Sequence, residues 1–413
     1  MKKLNVIYAG WGERFKLGVL ADDGKDIVFE YTPEALKRKL QFSPFKMALS
    51  DQSFGNLPQH QLRLPGFISD ALPDGWGMLL MDRLFRRQGR NPASVSPLDR
   101  LRLVGENAMG ALAFEPAETE ELLLEDLQLL DIARDVYQVF EENENESVLR
   151  NLMLMGGSPH GVRPKVAVEI DAKANRISKA GSNCGTPLLV KFPAQNESKE
   201  ACAIEALYCR LARISGLRVP EFYYFDLSKR ASAFGTERFD RAGNMRVPMH
   251  TAAGAAHVDF RIPQFDYTAL LRLTRLMTND LREVHRAFEN CVFNVVFNNR
   301  DDHSKNFSFL MDKDGQWTLS PAYDLTFSAG PNGDHQMDIC GEARAPGFSK
   351  LMELASKTGI KPKVAEQTIE RIVAVSYSLR EAIDALPIRE QTLKVIEVIE
   401  KAVATNRERM IRK

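Results

Sequence analysis

The sequence predicts an α+β protein in which a β-rich part precedes a helical part, with a smaller α+β unit ahead of both. Three observations carry this prediction. Short strand-like runs punctuated by turn residues occupy residues 4–31 and again 165–238. From about residue 265 onward apolar residues recur at helical spacing. One loop-and-strand insert, residues 298–324, interrupts that helical stretch. This order suggests two lobes with a cleft between them.

The elements follow in chain order. Residues 4–8 (LNVIY), 16–20 (KLGVL) and 27–31 (IVFEY) read as strands, parted by turn residues such as Asp22, Asp23 and Gly24. Thr32-Pro33-Glu34 is a helix start: the threonine caps, and proline takes the first helical position, where a missing N–H costs nothing. A periodic stretch from Trp76 to Arg87 follows Asp74-Gly75, and residues 108–114 read as a strand closing a first unit at 1–115. Residues 116–147 read as a helical connector, with Leu122, Leu123, Leu127, Leu130, Ile132 and Val136 on or near one face. Its polar run, residues 141–146 (EENENE), reads as a solvated helix end or linker. The β-rich lobe, 148–241, has strands at 165–170, 187–192, 221–226 and 233–238, and a helix at 199–214 closed by Gly216. Residues 242–413 form the helical lobe.

Composition narrows the function classes. With 413 residues, 44% hydrophobic and 27% charged, the chain is an ordinary globular protein. It has no run of 18 apolar residues to span a bilayer, and MKKLNVIYAGWGERF reads as a first strand rather than a signal peptide. Five cysteines with no C-x-x-C pair suit a reducing cytoplasm and no structural zinc. Lys+Arg and Asp+Glu balance at 55 each, with no basic stripe, so any encounter with DNA runs through a partner.

The segment Asn299-Arg300-Asp301-Asp302-His303-Ser304-Lys305-Asn306 follows an apolar helix. Asp301 and Asn306 stand in a D-x-x-x-x-N pattern, the separation at which protein kinases place a catalytic base and a Mg²⁺-binding amide. By itself the pattern also fits a helix cap and turn. The flanking order favours catalysis: a strand at 307–310, a turn at 312–315, the strand WTLS and then Asp324, a second carboxylate at a strand end. Upstream, residues 156–165 (GGSPHGVRPK) offer glycines that let consecutive N–H groups converge on an anion, and they are not a Walker A loop. Lys191 lies in the apolar run Leu188–Phe192, where it either snorkels outward from an edge strand or meets an anion. Glu205, on the next helix, is its candidate partner. Residues 237–241 (ERFDR) end the last strand, where a two-lobed kinase has its hinge; composition alone reads them as an exposed charged loop.

In this order, Gly157-Ser158…Lys165, LVKFP (189–193), ERFDR (237–241), DDHSKN (301–306) and SPAYD (320–324) resemble the HipA kinase family. FISDALPDGWG (67–77) and VGENAMGAL (104–112) resemble that family's N-terminal subdomain, so the likeness spans nearly the whole chain. The resemblance implies a two-lobed protein-kinase-like fold with an additional N-terminal α+β subdomain, and dependence on ATP and Mg²⁺. It makes Asp301 the catalytic residue and Asn306 and Asp324 the metal ligands. It places Lys191 at the phosphates, Glu237 and Phe239 at adenine, and Ser158, Pro159, His160 and Gly161 in the phosphate loop. Ser158 is its autophosphorylation site, where phosphate adds about −1.5 to −2 charges. His303 either contacts phosphate or orders the loop. The resemblance also implies the toxin role of a toxin–antitoxin pair in the cytoplasm. Its partners would be a helix-turn-helix antitoxin (HipB-like) that carries it to DNA and a protein substrate such as glutamyl-tRNA synthetase. Asp302 stands where the best-known member of that family has glycine, which adds a carboxylate next to the base. A catalytically weak corepressor and a small-molecule kinase are the alternative functions.

Overall fold

Strand β1 (Lys2–Tyr8) pairs antiparallel with β2 (Phe15–Asp22), which pairs with β3 (Ile27–Tyr31). In this computed structural model residues 1–118, 128–156, 160–171, 176–179, 185–386 and 393–411 are described. On β3 the period of two is visible: Ile27, Phe29 and Tyr31 are buried, while Glu30 between them is exposed. Phe29 meets Tyr31 and Phe67 edge-on at centroid distances of 4.9 and 5.5 Å, forming the aromatic centre of this sheet's core. Helix α1 (Pro33–Arg38) begins as its sequence predicts, with Thr32 Oγ1 accepting from the Ala35 N–H and Pro33 in the first turn. Helices α2 (Gly66–Ser69), α3 (Gly75–Arg87) and α4 (Pro97–Val104) follow, and β4 (Leu112–Glu115) returns beside β1 to give the order β3–β2–β1–β4.

Helices α5 (Leu129–Phe140) and α6 (Glu146–Gly156) lead to a second sheet. Its strands are β5 (Lys165–Asp171), β6 (Arg176–Lys179), β7 (Thr186–Lys191), β8 (Phe222–Asp226) and β9 (Ser232–Glu237), in the order β6–β5–β7–β9–β8. The polar run 141–146 is not solvated throughout. Glu144 is buried and accepts from Arg83 Nη1 at 3.0 Å, because α3 brings a largely buried guanidinium that needs an anion. One short strand pair that periodicity does not reveal, β10 (Arg241–Ala242) with β11 (Met245–Arg246), follows directly.

The chain divides into two compact units. One comprises Met1–Lys199, Tyr223–His250 and Leu310–Gly315; the other comprises Glu200–Phe222, Thr251–Phe309 and Gln316–Lys413. The second unit contains α7 (Ala201–Ile214), closed by Gly216 at φ +84°, a left-handed conformation that suits glycine. Strand β12 (Met249–Thr251) and helices α8 (Ala252–Ala256), α9 (Tyr267–Thr278) and α10 (Leu281–Val296) come next. Strands β13 (Ser308–Met311) and β14 (Trp317–Leu319) fill the predicted insert, with sheet order β12–β13–β14. Helices α11 (Phe348–Lys357), α12 (Pro362–Ser376), α13 (Leu379–Asp384) and α14 (Leu393–Arg409) complete the chain. Among the described residues no helix is long and apolar enough to cross a membrane.

At the centre of the second unit α10 buries Val284, Ala287, Phe288, Cys291, Val292 and Val295. Tyr208 of α7 lies edge-on to Phe293 and Phe297 and donates its hydroxyl to the Phe297 carbonyl at 2.7 Å, capping the helix end just before the candidate catalytic loop. Tyr208→Phe keeps the ring and leaves that buried carbonyl unsatisfied, so unfolding in urea should show a loss of about 1–3 kcal/mol.

Candidate active site

The loop after α10 is held by its own side chains. Asn306 donates Nδ2 to the Asp301 carbonyl at 2.7 Å, which fixes the amide so that its oxygen is the atom left for a cation. Asp301 leaves its side chain 46% exposed, as a group that must meet a substrate requires. Its Oδ1 accepts from Gln336 Nε2 at 2.7 Å and lies 3.8 Å from His303 Nε2. The His303 ring packs on Phe260 at 5.1 Å, and the Lys305 ammonium lies 4.7 Å from the same ring. His303 is thus held against Phe260 beside the Asp301 carboxylate.

Asp302 points the other way and is fully buried. It accepts from Tyr267 Oη, His335 Nδ1 and the Gln336 N–H, each at 2.8 Å. Three donors compensate the cost of burying a carboxylate. Tyr267 in turn accepts from Asn294 Nδ2 at 3.0 Å, and Asn294 Oδ1 accepts from Asn299 Nδ2 at 3.0 Å. Burial, followed by the charge of Asp302, pushes the Tyr267 phenol well above its ordinary range, so it remains a donor.

Asp324 sits just beyond β14 with φ +57°, a sparsely occupied conformation for a residue with a side chain. Its neighbour Tyr323 donates Oη to the Lys305 carbonyl at 2.6 Å and accepts from Ser308 Oγ at 2.6 Å. The residue before Asp324 is thus fastened to the residue before Asn306. One amide oxygen and one carboxylate suit a small hard cation whose remaining ligands are water and phosphate oxygens. Among the described residues no group of three or more His, Cys, Asp and Glu is placed to hold a metal alone. An amide oxygen and a carboxylate are donor types that fit Mg²⁺.

Lys191 stands in the other unit. It lies on β7, in the middle of the five-stranded sheet rather than at its edge, and is only 6% exposed. It pairs in register with Lys165 and Phe234, and its ammonium lies 5.9 Å from the Phe234 ring. Glu205 is buried on α7. Gly157, Ser158 and Pro159 lie outside the described residues. The end of that loop is described: the Gly161 N–H donates to the Asp74 carboxylate, the Trp76 N–H donates to the Gly161 carbonyl at 3.1 Å, and Lys165 donates to the His160 carbonyl. Gly75 makes this approach possible, since a Cβ there would come within 2.6 Å of the Gly161 oxygen.

The 237–241 segment is not an exposed charged loop. Glu237 accepts from Tyr223 Oη at 2.9 Å, and the Arg238 N–H donates to the Pro187 carbonyl at 2.9 Å. Asp240 is wholly buried between Arg238 and Arg241, at 2.7 and 2.8 Å, and accepts from the Gly110 N–H at 2.8 Å. Arg246 donates to the carbonyls of Glu106, Ala108, Gly110 and Leu112. The two motifs VGENAMGAL and ERFDR, read separately in the sequence, are one hydrogen-bonded structure. A second clamp lies nearby: His250 bridges Ser43 Oγ at 3.1 Å and Asp70 Oδ2 at 2.7 Å. These are the members of a hydrolytic triad, but Ser43 and His250 have no exposed surface, so the arrangement is structural.

The model of the HipA N-terminal domain matches residues 9–115, and that of the HipA-like C-terminal domain matches residues 157–378. A putative kinase, Y4dM, of Sinorhizobium fredii is 26% identical over 340 residues, covering 76% of this chain and 77% of its own. The serine/threonine-protein kinase toxin HipA of Shewanella oneidensis is 25% identical over 286 residues, covering 63% of this chain and 62% of the toxin. Among solved structures, the Shewanella oneidensis HipA in complex with HipB and operator DNA superposes with a TM-score of 0.74 at 19% identity, over 98% of this chain and 97% of that one. That likeness establishes the α+β kinase fold. With a family model spanning more than half of its length and a second covering most of the remainder, the chain belongs to the HipA family of kinases.

Proposed function

We propose that this protein transfers the γ-phosphate of ATP to a serine or threonine hydroxyl of a protein, as the toxin of a toxin–antitoxin pair. The observation that carries the reading is the pairing of a solvent-reachable Asp301 with two oxygen donors, Asn306 and Asp324, fastened to each other through Tyr323 and Lys305. Asp301 orients the attacking hydroxyl and accepts its proton. Asn306 and Asp324 would hold Mg²⁺, which when bound neutralises charge developing on the phosphates. Lys191 is the cation for the nucleotide's phosphates, and the backbone at Glu237 and Phe239 reads adenine. Residues 148–241 and 242–413 serve as the nucleotide-binding and catalytic lobes, joined through 116–147 to the HipA-type subdomain at 1–115. His160 and Gly161 belong to the phosphate loop together with Ser158 and Pro159, and Ser158 is the site of self-inactivation. A HipB-like helix-turn-helix antitoxin is the partner that brings the protein to DNA, and an aminoacyl-tRNA synthetase such as glutamyl-tRNA synthetase is the target in the cytoplasm.

The test is transfer of label from γ-labelled Mg-ATP, with the protein alone and with cell lysate. Label should appear on one lysate protein and, by mass spectrometry, on Ser158. Transfer to no acceptor at all, protein or small molecule, would overturn the kinase reading. Label on small molecules alone would replace the protein substrate with an alcohol metabolite.

A further inference from the structure

Residue 336 touches both carboxylates of the catalytic loop in different ways. Its backbone N–H donates to Asp302 Oδ1 at 2.8 Å, and its side-chain Nε2 donates to Asp301 Oδ1 at 2.7 Å. Asp301 can only accept, so the amide nitrogen is the atom that faces it. The backbone of residue 336 is not free to drift. Asp302 has no exposed surface, and it also binds the ring of the preceding residue, buried His335, and the Tyr267 phenol. The Tyr267 N–H in turn donates to the Asp338 carbonyl at 3.1 Å, fastening the same segment two residues further on. The Gln336 side chain itself is only half-buried, so its removal does not open the core.

We infer that Gln336 is a positioning residue for Asp301, and that Asp302, with His335 and Tyr267, forms the buried anchor that holds Gln336 in place. An exposed carboxylate rotates freely unless something fixes it, and proton acceptance from a hydroxyl requires a defined orientation. Gln336 supplies that restraint from a segment beyond Asp324, so the setting of the base depends on how residues 335–338 lie on the loop. Asp302 is thereby the socket for this segment and takes no proton from substrate.

The inference rests on the kinase reading above, and the experiment separates the two. Wild type, Asp301→Asn, Gln336→Met and Gln336→Glu are compared for phosphate transfer from Mg-ATP to protein and to water. Gln336→Met keeps the volume and removes the donor. It should lower kcat about 10- to 100-fold with KM for Mg-ATP nearly unchanged, since misorientation of a catalytic group costs rate rather than binding. Gln336→Glu removes the donor and sets a like charge against Asp301, and should lower kcat at least as far as Gln336→Met, again with KM for Mg-ATP nearly unchanged. A wild-type kcat in both Gln336 variants, beside an inactive Asp301→Asn, would overturn the positioning role alone. Wild type inactive toward both acceptors would overturn the kinase reading and this inference with it.

Discussion

Asp301→Asn is expected to lower phosphate transfer by about 10²- to 10⁴-fold, the usual contribution of a positioned acid or base, with nucleotide affinity nearly unchanged. The substitution is isosteric, and the exposed side chain carries little of the fold. The loop closure is preserved because Asn306 binds the Asp301 backbone carbonyl and not its carboxylate. An asparagine oxygen still accepts from Gln336, so what is lost is the ability to take a proton. The adjacent carboxylate cannot substitute: Asp302 is sealed from solvent and already accepts from Tyr267, His335 and the Gln336 N–H. Transfer of label to protein measures the effect in vitro, and expression of the variant should no longer arrest growth. Undiminished arrest would remove Asp301 from the mechanism.

The largest stability effect is expected at Asp240. Burial alone would raise the pKa of its carboxyl, yet the charges of Arg238 and Arg241 and the Gly110 N–H outweigh burial and hold it well below the usual carboxylate range. Asp240→Asn leaves these largely buried guanidinium groups without their anion, a change that typically costs about 3–5 kcal/mol. The pH dependence has a defined sign. A carboxylate with a depressed folded pKa contributes its full stability above the unfolded value, near pH 4, and loses it as pH falls toward the folded value. Urea midpoints of wild type should therefore decline below about pH 4, and the part of that decline due to Asp240 should be missing in Asp240→Asn. Equal midpoints for the two proteins at pH 7 would show that the buried pair adds nothing.

The sequence displayed the candidate base and cation ligands because each is a local signal. Asp301 and Asn306 share one loop after an apolar helix, Asp324 follows a strand, and Lys191 interrupts an apolar run. The strands and the capped start at Thr32 were legible for the same reason: period, cap and turn chemistry act over a few residues. What escaped depends on contacts between distant segments. Nothing near Gln336 announces it, since residues 331–345 carry no periodicity and its anchor, Asp302, precedes it by 34 positions. Glu144 reads as a solvated charge because its partner, Arg83, lies far along the chain; Asp240 does so although Arg238 and Arg241 are its sequence neighbours, because the Gly110 segment that meets it is distant. A charge in a polar run is called exposed by composition, and only the fold reveals that a guanidinium has been carried to it.

The four carbonyls gathered by Arg246 have a consequence for dissecting this protein. The family models place a seam between residues 115 and 157, where cloning the parts separately would look natural. The hydrogen bonds draw no seam there, because Met1–Lys199 and Tyr223–His250 lie in one unit. A chain begun after residue 116 would keep Arg246 and Asp240 but lose the backbone groups they were folded to meet. The front of the molecule is thus part of the wall against which residues 237–250 are cast, and homology boundaries and physical boundaries diverge in this chain.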